Sequence, residues 1–196
     1  MKIIGITGKS GTGKSTFAEL LANDLKCRHI DIDKIGHEAT SDPSITEELC
    51  DKFGNGILGE NGKIDRKKLG AIVFSDKNKM DELTQITWEY MQRKLDETLL
   101  QDDKIIVLEW ILLPKSKYWD KCDSKILVTA DNEKRKNKIM ERDKISEEYF
   151  DKRDSASVDY TPYIFDYVFE NDYQEEAMKK MLNKISKKYV EGEIKY

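Results

Sequence analysis

The chain has 196 residues, enough for one core-forming domain and short for two. Charged residues make up 37% of it, and 38 acids against 34 bases give a formal charge of −4, so no basic face for nucleic acid is expected. No apolar run approaches the roughly 20 residues that span a bilayer, the chain turns polar after Thr7, and Cys27, Cys50 and Cys122 form no CxxC pair; the expectation is a cytoplasmic protein with reduced thiols and no membrane partner.

"KIIGIT" (2–7) reads as the first strand. Gly8-Lys9-Ser10-Gly11-Thr12-Gly13-Lys14-Ser15 follows it and fits G-x-x-x-x-G-K-[ST], and "KSTFAELLANDLK" after it carries Phe17, Leu20, Leu21 and Leu25 at helical spacing. Strand before and helix after is the context in which this loop cradles phosphate. Its glycines let the backbone wrap phosphate oxygens, and the helix N-terminus supplies positive partial charge. Lys14 can bridge the β- and γ-phosphates of a nucleoside triphosphate, the Ser15 hydroxyl can ligate Mg²⁺, and Thr16 completes the segment facing the nucleotide.

"RHID" (28–31) reads as the second strand, and the run "HIDID" puts Asp31 and Asp33 two residues apart at its carboxyl end, on one side of it. Ligands of open α/β sheets bind at that edge. A carboxylate there can take the proton of an attacking hydroxyl or help to hold Mg²⁺, and the bland reading is a cap for the next helix. Between 42 and 101 no strand is expected. "FGNGILGENG" is a turn between helices, and 78–101 is a long amphipathic helix. "KIIVLEW" (104–110) reads as the third strand, closing on Glu109, where phosphate-loop enzymes place an acid that holds Mg²⁺ or its waters. "SKILVTA" (124–130) and "YVFEN" (167–171) are the fourth and fifth strands, and 173–190 is a final amphipathic helix. "SKILVTADNEK" lacks the NKxD of a GTPase. Strands alternating with helices imply an α/β, three-layer fold with a central five-stranded parallel sheet. The expected organisation is one domain: a core of 1–41 and 102–196, a helical insertion at about 42–101, and a lid at about 131–157. Trp88, Trp110 and Trp119 are expected to pack rather than stack on a base. Neither His29 nor His37 carries a catalytic expectation.

On these residues the sequence resembles the dephospho-coenzyme A kinase family. "IGITGKSGTGKST" is similar to the family's opening, and "HIDIDKIGHEA" to its Asp-x-Asp segment. The run from 53 to 86 repeats its Phe-Gly, Ile-Leu, Gly, Asp-Arg, Leu and Val-Phe positions. "ERDKISEEYFDKR" resembles its lid, and "FDYVFEND" its last strand. The resemblance implies transfer of the ATP γ-phosphate to the 3′-hydroxyl of dephospho-CoA, with Asp33 as base and Asn171 bordering the adenine. It also implies Arg142 closing over the phosphoryl oxygens and Asp31, His37 and Arg153 on the acceptor. The departures cluster. Gly36-His37 stands for Ala-Arg, Thr87-Trp88-Glu89 for the His-Pro region, Glu109 to Lys115 for Asp-x-Pro-Leu-Leu-Phe-Glu, and Ser157 for the lid's Gln. The phosphate loop is intact, and the departures fall on the acceptor and lid side of the family pattern. Two alternatives stand beside the family reaction. One is a diverged kinase for another nucleoside- or pantetheine-like alcohol; the other is a nucleotide-binding regulatory protein without transfer.

Overall fold

The computed structural model describes residues 1–73, 76–101, 103–155 and 157–191; the side chains of residues 37, 152, 153 and 191 lie outside the described set. The chain divides into two compact units, 1–31 with 103–196, and 32–102. The helical unit therefore begins at Ile32, ten residues before the expected boundary at 42.

The first unit is built on β1 (Lys2–Thr7), α1 (Lys14–Leu25) and β2 (Arg28–Asp31). In the second unit come α2 (Ile32–Ala39), α3 (Pro43–Phe53), α4 (Arg66–Val73) and α5 (Lys77–Leu99). The chain then returns to the first unit as β3 (Ile105–Glu109), β4 (Ser124–Ala130), α6 (Asn132–Asp143), α7 (Glu147–Ser155), β5 (Tyr167–Asn171) and α8 (Glu175–Glu191).

The five strands form one parallel sheet in the order β2-β3-β1-β4-β5. β1 lies in the middle. From it the chain crosses by α1 to β2 on one side, whereas from its neighbour β4 it crosses by α6 and α7 to β5 on the other. Loops leaving adjacent strands in opposite directions open a crevice at the sheet's carboxyl edge. One face of the sheet is closed by α1 and α8. Ile4, Ile6, Val107, Ile126 and Val128 pack there against Phe17 and Leu21 from α1 and Leu182 and Ile185 from α8. On the other face the segment after β3 approaches closely: a Cβ at Gly5 would sit 2.6 Å from Cys122 Sγ. Burial pushes the Cys122 thiol up to about 12, so it is a packing group with no nucleophilic character at neutral pH. All three cysteines are unbridged. β1 is buried from Ile3 to Thr7, as its unbroken apolar run requires. β5, at the edge, instead exposes Val168 and Glu170, so it is not covered on both faces.

The second unit has its own core, in which Ile45 and Leu49 of α3, Leu69 and Val73 of α4, and Tyr90 of α5 surround Ile57. Asp42 and Asp76 cap α3 and α5 by accepting from the amides of Ser44 and Asn78. The turn expected at 53–62 is a single 3-10 turn, Asn55–Ile57, and one isolated bridge between Leu58 and Ile64. Among the described residues, no helix is long and apolar enough to cross a membrane.

Candidate active site

The phosphate loop joins β1 to α1 at the crevice. Gly13 takes φ 84°, ψ 14° as the residue before α1, a left-handed conformation that favours glycine. No side chain caps this helix and no acid lies in its first turn. Its leading amides therefore have no intrahelical acceptor and no acid of the helix's own first turn beside them, and together with the helix dipole they favour an anion. Neighbouring elements hold the loop from outside. Asn171 at the end of β5 donates its Nδ2 to the Thr12 carbonyl at 2.8 Å, and Tyr173 donates its hydroxyl to the Gly11 carbonyl at 2.9 Å. Because a peptide's carbonyl and the next N–H point opposite ways, fixing the Thr12 carbonyl outward fixes the Gly13 amide. Arg135 of α6, 3% exposed, donates to the Ser10 carbonyl at 3.2 Å.

Lys9 and Arg135 both pair with Asp154 of α7, at 3.0 and 2.8 Å. Burial works against the charge on Asp154, but its bonds from Arg135 and Lys9 outweigh that and hold its carboxyl below the usual carboxylate value. The loop is thus tied to α6, to α7 and to the exit of β5.

Glu109 ends β3 next to the base of the loop. It is 1% exposed. The Ser15 hydroxyl donates to its Oε1 at 2.5 Å, with Lys14 Nζ 3.6 Å from the same oxygen. Its Oε2 lies 2.9 Å from His29 Nε2. Burial again opposes ionisation, and the hydrogen bonds from His29 and Ser15 with the Lys14 charge more than offset it, so Glu109 stays below its ordinary value. An ionised carboxylate only accepts, so the shared proton belongs to His29 Nε2. Strand register explains the pair. His29 lies opposite Val107 and Asp31 opposite Glu109, so His29 and Glu109 share a sheet face as diagonal neighbours.

The donor set fits a divalent ion of the Mg²⁺ kind. Ser15 and Glu109 bring two hard oxygens together beside a lysine, and Mg²⁺ takes one or two protein oxygens with waters and substrate phosphates. Among the described residues no cluster of three or more His, Cys, Asp or Glu forms a separate metal cage.

A cleft of about 640 Å³ opens from Gly13, Lys14, Ser15 and Thr16 toward Arg142, Asn171 and Tyr173. Arg142 lines it, with a side chain 60% exposed and forked onto the adjacent Asp143 at 2.7 and 3.0 Å. The Asp143 bonds raise its pKa further above its already high ordinary value. Asn171 also lines the cleft, yet its amide is engaged by Thr12 and by the Tyr173 N–H. It braces the loop as well as bordering the cleft.

Gly8, Lys9, Ser10, Gly11, Thr12, Gly13, Lys14, Ser15, Glu109, Arg142 and Asn171 all belong to the first unit. The strand geometry expected of the two aspartates is corrected. β2 stops at Asp31, and Asp33 lies in the first turn of α2, so the two-residue strand repeat does not relate them. Asp33 belongs to the second unit, and both acids are partly buried. The side chains of His37, in α2, and Arg153, in α7, lie outside the described residues. Trp110 and Trp119 are buried, and Trp88 is half-buried on α5. Sequence reasoning missed His29, which bonds the central acid, and Arg135, hidden in a basic run that otherwise reads as solvated surface.

Residues 2–177 match the family model described as dephospho-CoA kinase. A dephospho-CoA kinase of Fusobacterium nucleatum is 39% identical over 155 residues, covering 76% of this chain and 78% of that protein. Another, from Aquifex aeolicus, is 34% identical over 190 residues, covering 94% and 96%. The solved structure of TT1252 from Thermus thermophilus is similar with a TM-score of 0.79 at 28% identity, covering 94% of this chain and 95% of that one.

Proposed function

Because the chain belongs to the dephospho-CoA kinase family and is a phosphotransferase with an alcohol acceptor, we propose that it moves the γ-phosphate of ATP to the 3′-hydroxyl of dephospho-CoA in coenzyme A biosynthesis. Its fold is that of a P-loop kinase. The observation that carries the reading is the meeting of Ser15, Glu109 and Lys14 beside the uncapped start of α1. Triphosphate takes the loop amides of 8–16 and the Lys14 ammonium, and Arg142 faces the charge that develops on the equatorial oxygens during transfer. Ser15 and Glu109 would hold Mg²⁺, which when bound neutralises charge on the β- and γ-phosphates. The acceptor oxygen attacks the γ-phosphorus, its proton passes to Asp33, and ADP leaves. Asp31, His37 and Arg153 complete the acceptor site in this proposal, and the setting is the cytoplasm.

A second reading, a kinase for another nucleoside- or pantetheine-like alcohol, is favoured by Gly36-His37 in α2 and Thr87-Trp88-Glu89 in α5, where the family resemblance fails. The deciding experiment is ATP-coupled ADP release with dephospho-CoA beside a panel of such alcohols. Release dependent on dephospho-CoA, at a KM lower than for the rest of the panel, supports the proposal. Release with another alcohol alone transfers the assignment to it. No acceptor-dependent release at all overturns both and leaves a nucleotide-binding protein. For the base, Asp33→Asn is expected to lower kcat by about 10²–10⁴ while leaving the ATP KM nearly unchanged. Loss in Asp31→Asn and none in Asp33→Asn would give the proton to Asp31.

A further inference from the structure

We infer that His29 is a positioning residue that sets the divalent-metal affinity of the phosphate site by holding Glu109, an inference resting on the reading that Glu109 takes part in holding the ion. Glu109 is a buried carboxylate with three side-chain torsions, and its two oxygens are held from different directions. Oε1 faces Ser15 and Lys14, both on the segment that receives the triphosphate. With nucleotide and metal bound, the Ser15 hydroxyl and the Lys14 ammonium would turn to phosphate and ion. The partners of Oε1 would therefore change at the moment when its position matters.

The partner of Oε2 lies off that segment, on β2. His29 sits within β2, its backbone paired in the sheet opposite Val107, and its ring is 17% exposed. The Nε2–H bond to Oε2, 2.9 Å long, is thus the contact that can fix the carboxylate plane independently of the loop's ligand. Without that donor Oε2 would be a buried acceptor with no partner, and the side chain would turn or take up a proton to relieve it. Either outcome removes a hard, oriented oxygen from the metal site. Outer partners of this kind commonly change metal affinity by about 10–100-fold. One geometric feature ties the two residues further. A glutamate reaches one methylene beyond an aspartate at the same strand end, which carries its carboxyl toward the diagonal neighbour on β2.

The test measures Mn²⁺ affinity of the ADP complex of the whole protein by electron paramagnetic resonance, beside ADP affinity in EDTA. His29→Leu is expected to weaken Mn²⁺ by about 10–100-fold and to leave metal-free ADP affinity within about threefold. His29→Gln puts an amide N–H near the place of Nε2 and should stay within about threefold of the native Mn²⁺ affinity. His29→Ala carries the same expectation as leucine where the leucine variant does not fold. If His29→Leu binds Mn²⁺ as the native protein does while Glu109→Gln has lost it, the inference fails and the reading of Glu109 survives. If Glu109→Gln also binds Mn²⁺ normally, both fail. A metal-free ADP affinity that falls in step with Mn²⁺ affinity overturns the inference too, because it marks general damage to the loop.

Discussion

Helices α1 and α6 each leave a strand at the same edge of one parallel sheet, and they begin in opposite ways. α6 starts at Asp131, whose carboxylate accepts from the Lys134 amide at 2.9 Å, and Glu133 adds a second negative charge to its first turn. α1 starts at a left-handed glycine with neither a capping side chain nor an acid. In α6 the dipole and the orphan amides are answered from within the chain. In α1 they are left uncapped, as the proposed phosphate site requires, and the chain instead braces the backs of the loop's peptides through Asn171, Tyr173 and Arg135. A helix start that serves stability satisfies itself. One that serves binding is held open by its neighbours.

The contrast breaks most severely at Lys14. Lys14→Ala removes the charge beside Glu109 that in the proposed site meets the β- and γ-phosphates, and kcat should fall by at least about a thousandfold, the scale seen when a cation on the transferring group is lost. Steady-state ADP release checks this, and turnover within about tenfold of native would show that the loop is not the transfer site. Gly13→Ala tests the shape of the start itself. Alanine resists the φ of 84°, at a cost of about 1–2 kcal/mol, and its methyl would collide with Asn171 Nδ2. The Asn171 bond to Thr12 must then give way, so ADP affinity by calorimetry should drop by about tenfold, the equivalent of one lost hydrogen bond. Unchanged affinity would mean that the loop's backbone shape is not what the ligand reads.

How legible these features were follows from whether each is local. The bounds of β1, β2, β4 and β5 stand where the apolar runs place them, because each run is bounded within a few residues by polar turns. The phosphate loop is likewise a contiguous motif. Asp33 shows where local reading fails. "HIDID" alternates as a strand would, yet the chain turns helical at Ile32, and over so few residues a period of 2 cannot be told from one of 3.6. The His29–Glu109 bond depends on the register of β2 against β3, and nothing in either run specifies that register. Arg135 resembles its neighbours in "NEKRKNK", and only the fold brings Asp154 and the Ser10 carbonyl to it. Buried charges paired across distant segments leave no periodic trace.

The smallest effect sharpens the contrast from the other side. Asp131→Ala deletes the carboxylate that caps α6 and leaves the Lys134 amide without its acceptor. Removing an N-cap of this kind costs about 1 kcal/mol, and in a chain of this size that lowers Tm by about 2–4 °C. ADP affinity should stay within about twofold of native, because Asp131 neither lines the cleft nor bonds the loop, and Arg135 keeps its bonds to Ser10 and Asp154. Thermal unfolding and calorimetry on the same preparation separate the two quantities. If the variant lost affinity as Gly13→Ala does while keeping its Tm, the start of α6 would be part of the binding apparatus. The division between a helix start that satisfies itself and one left open would then not hold.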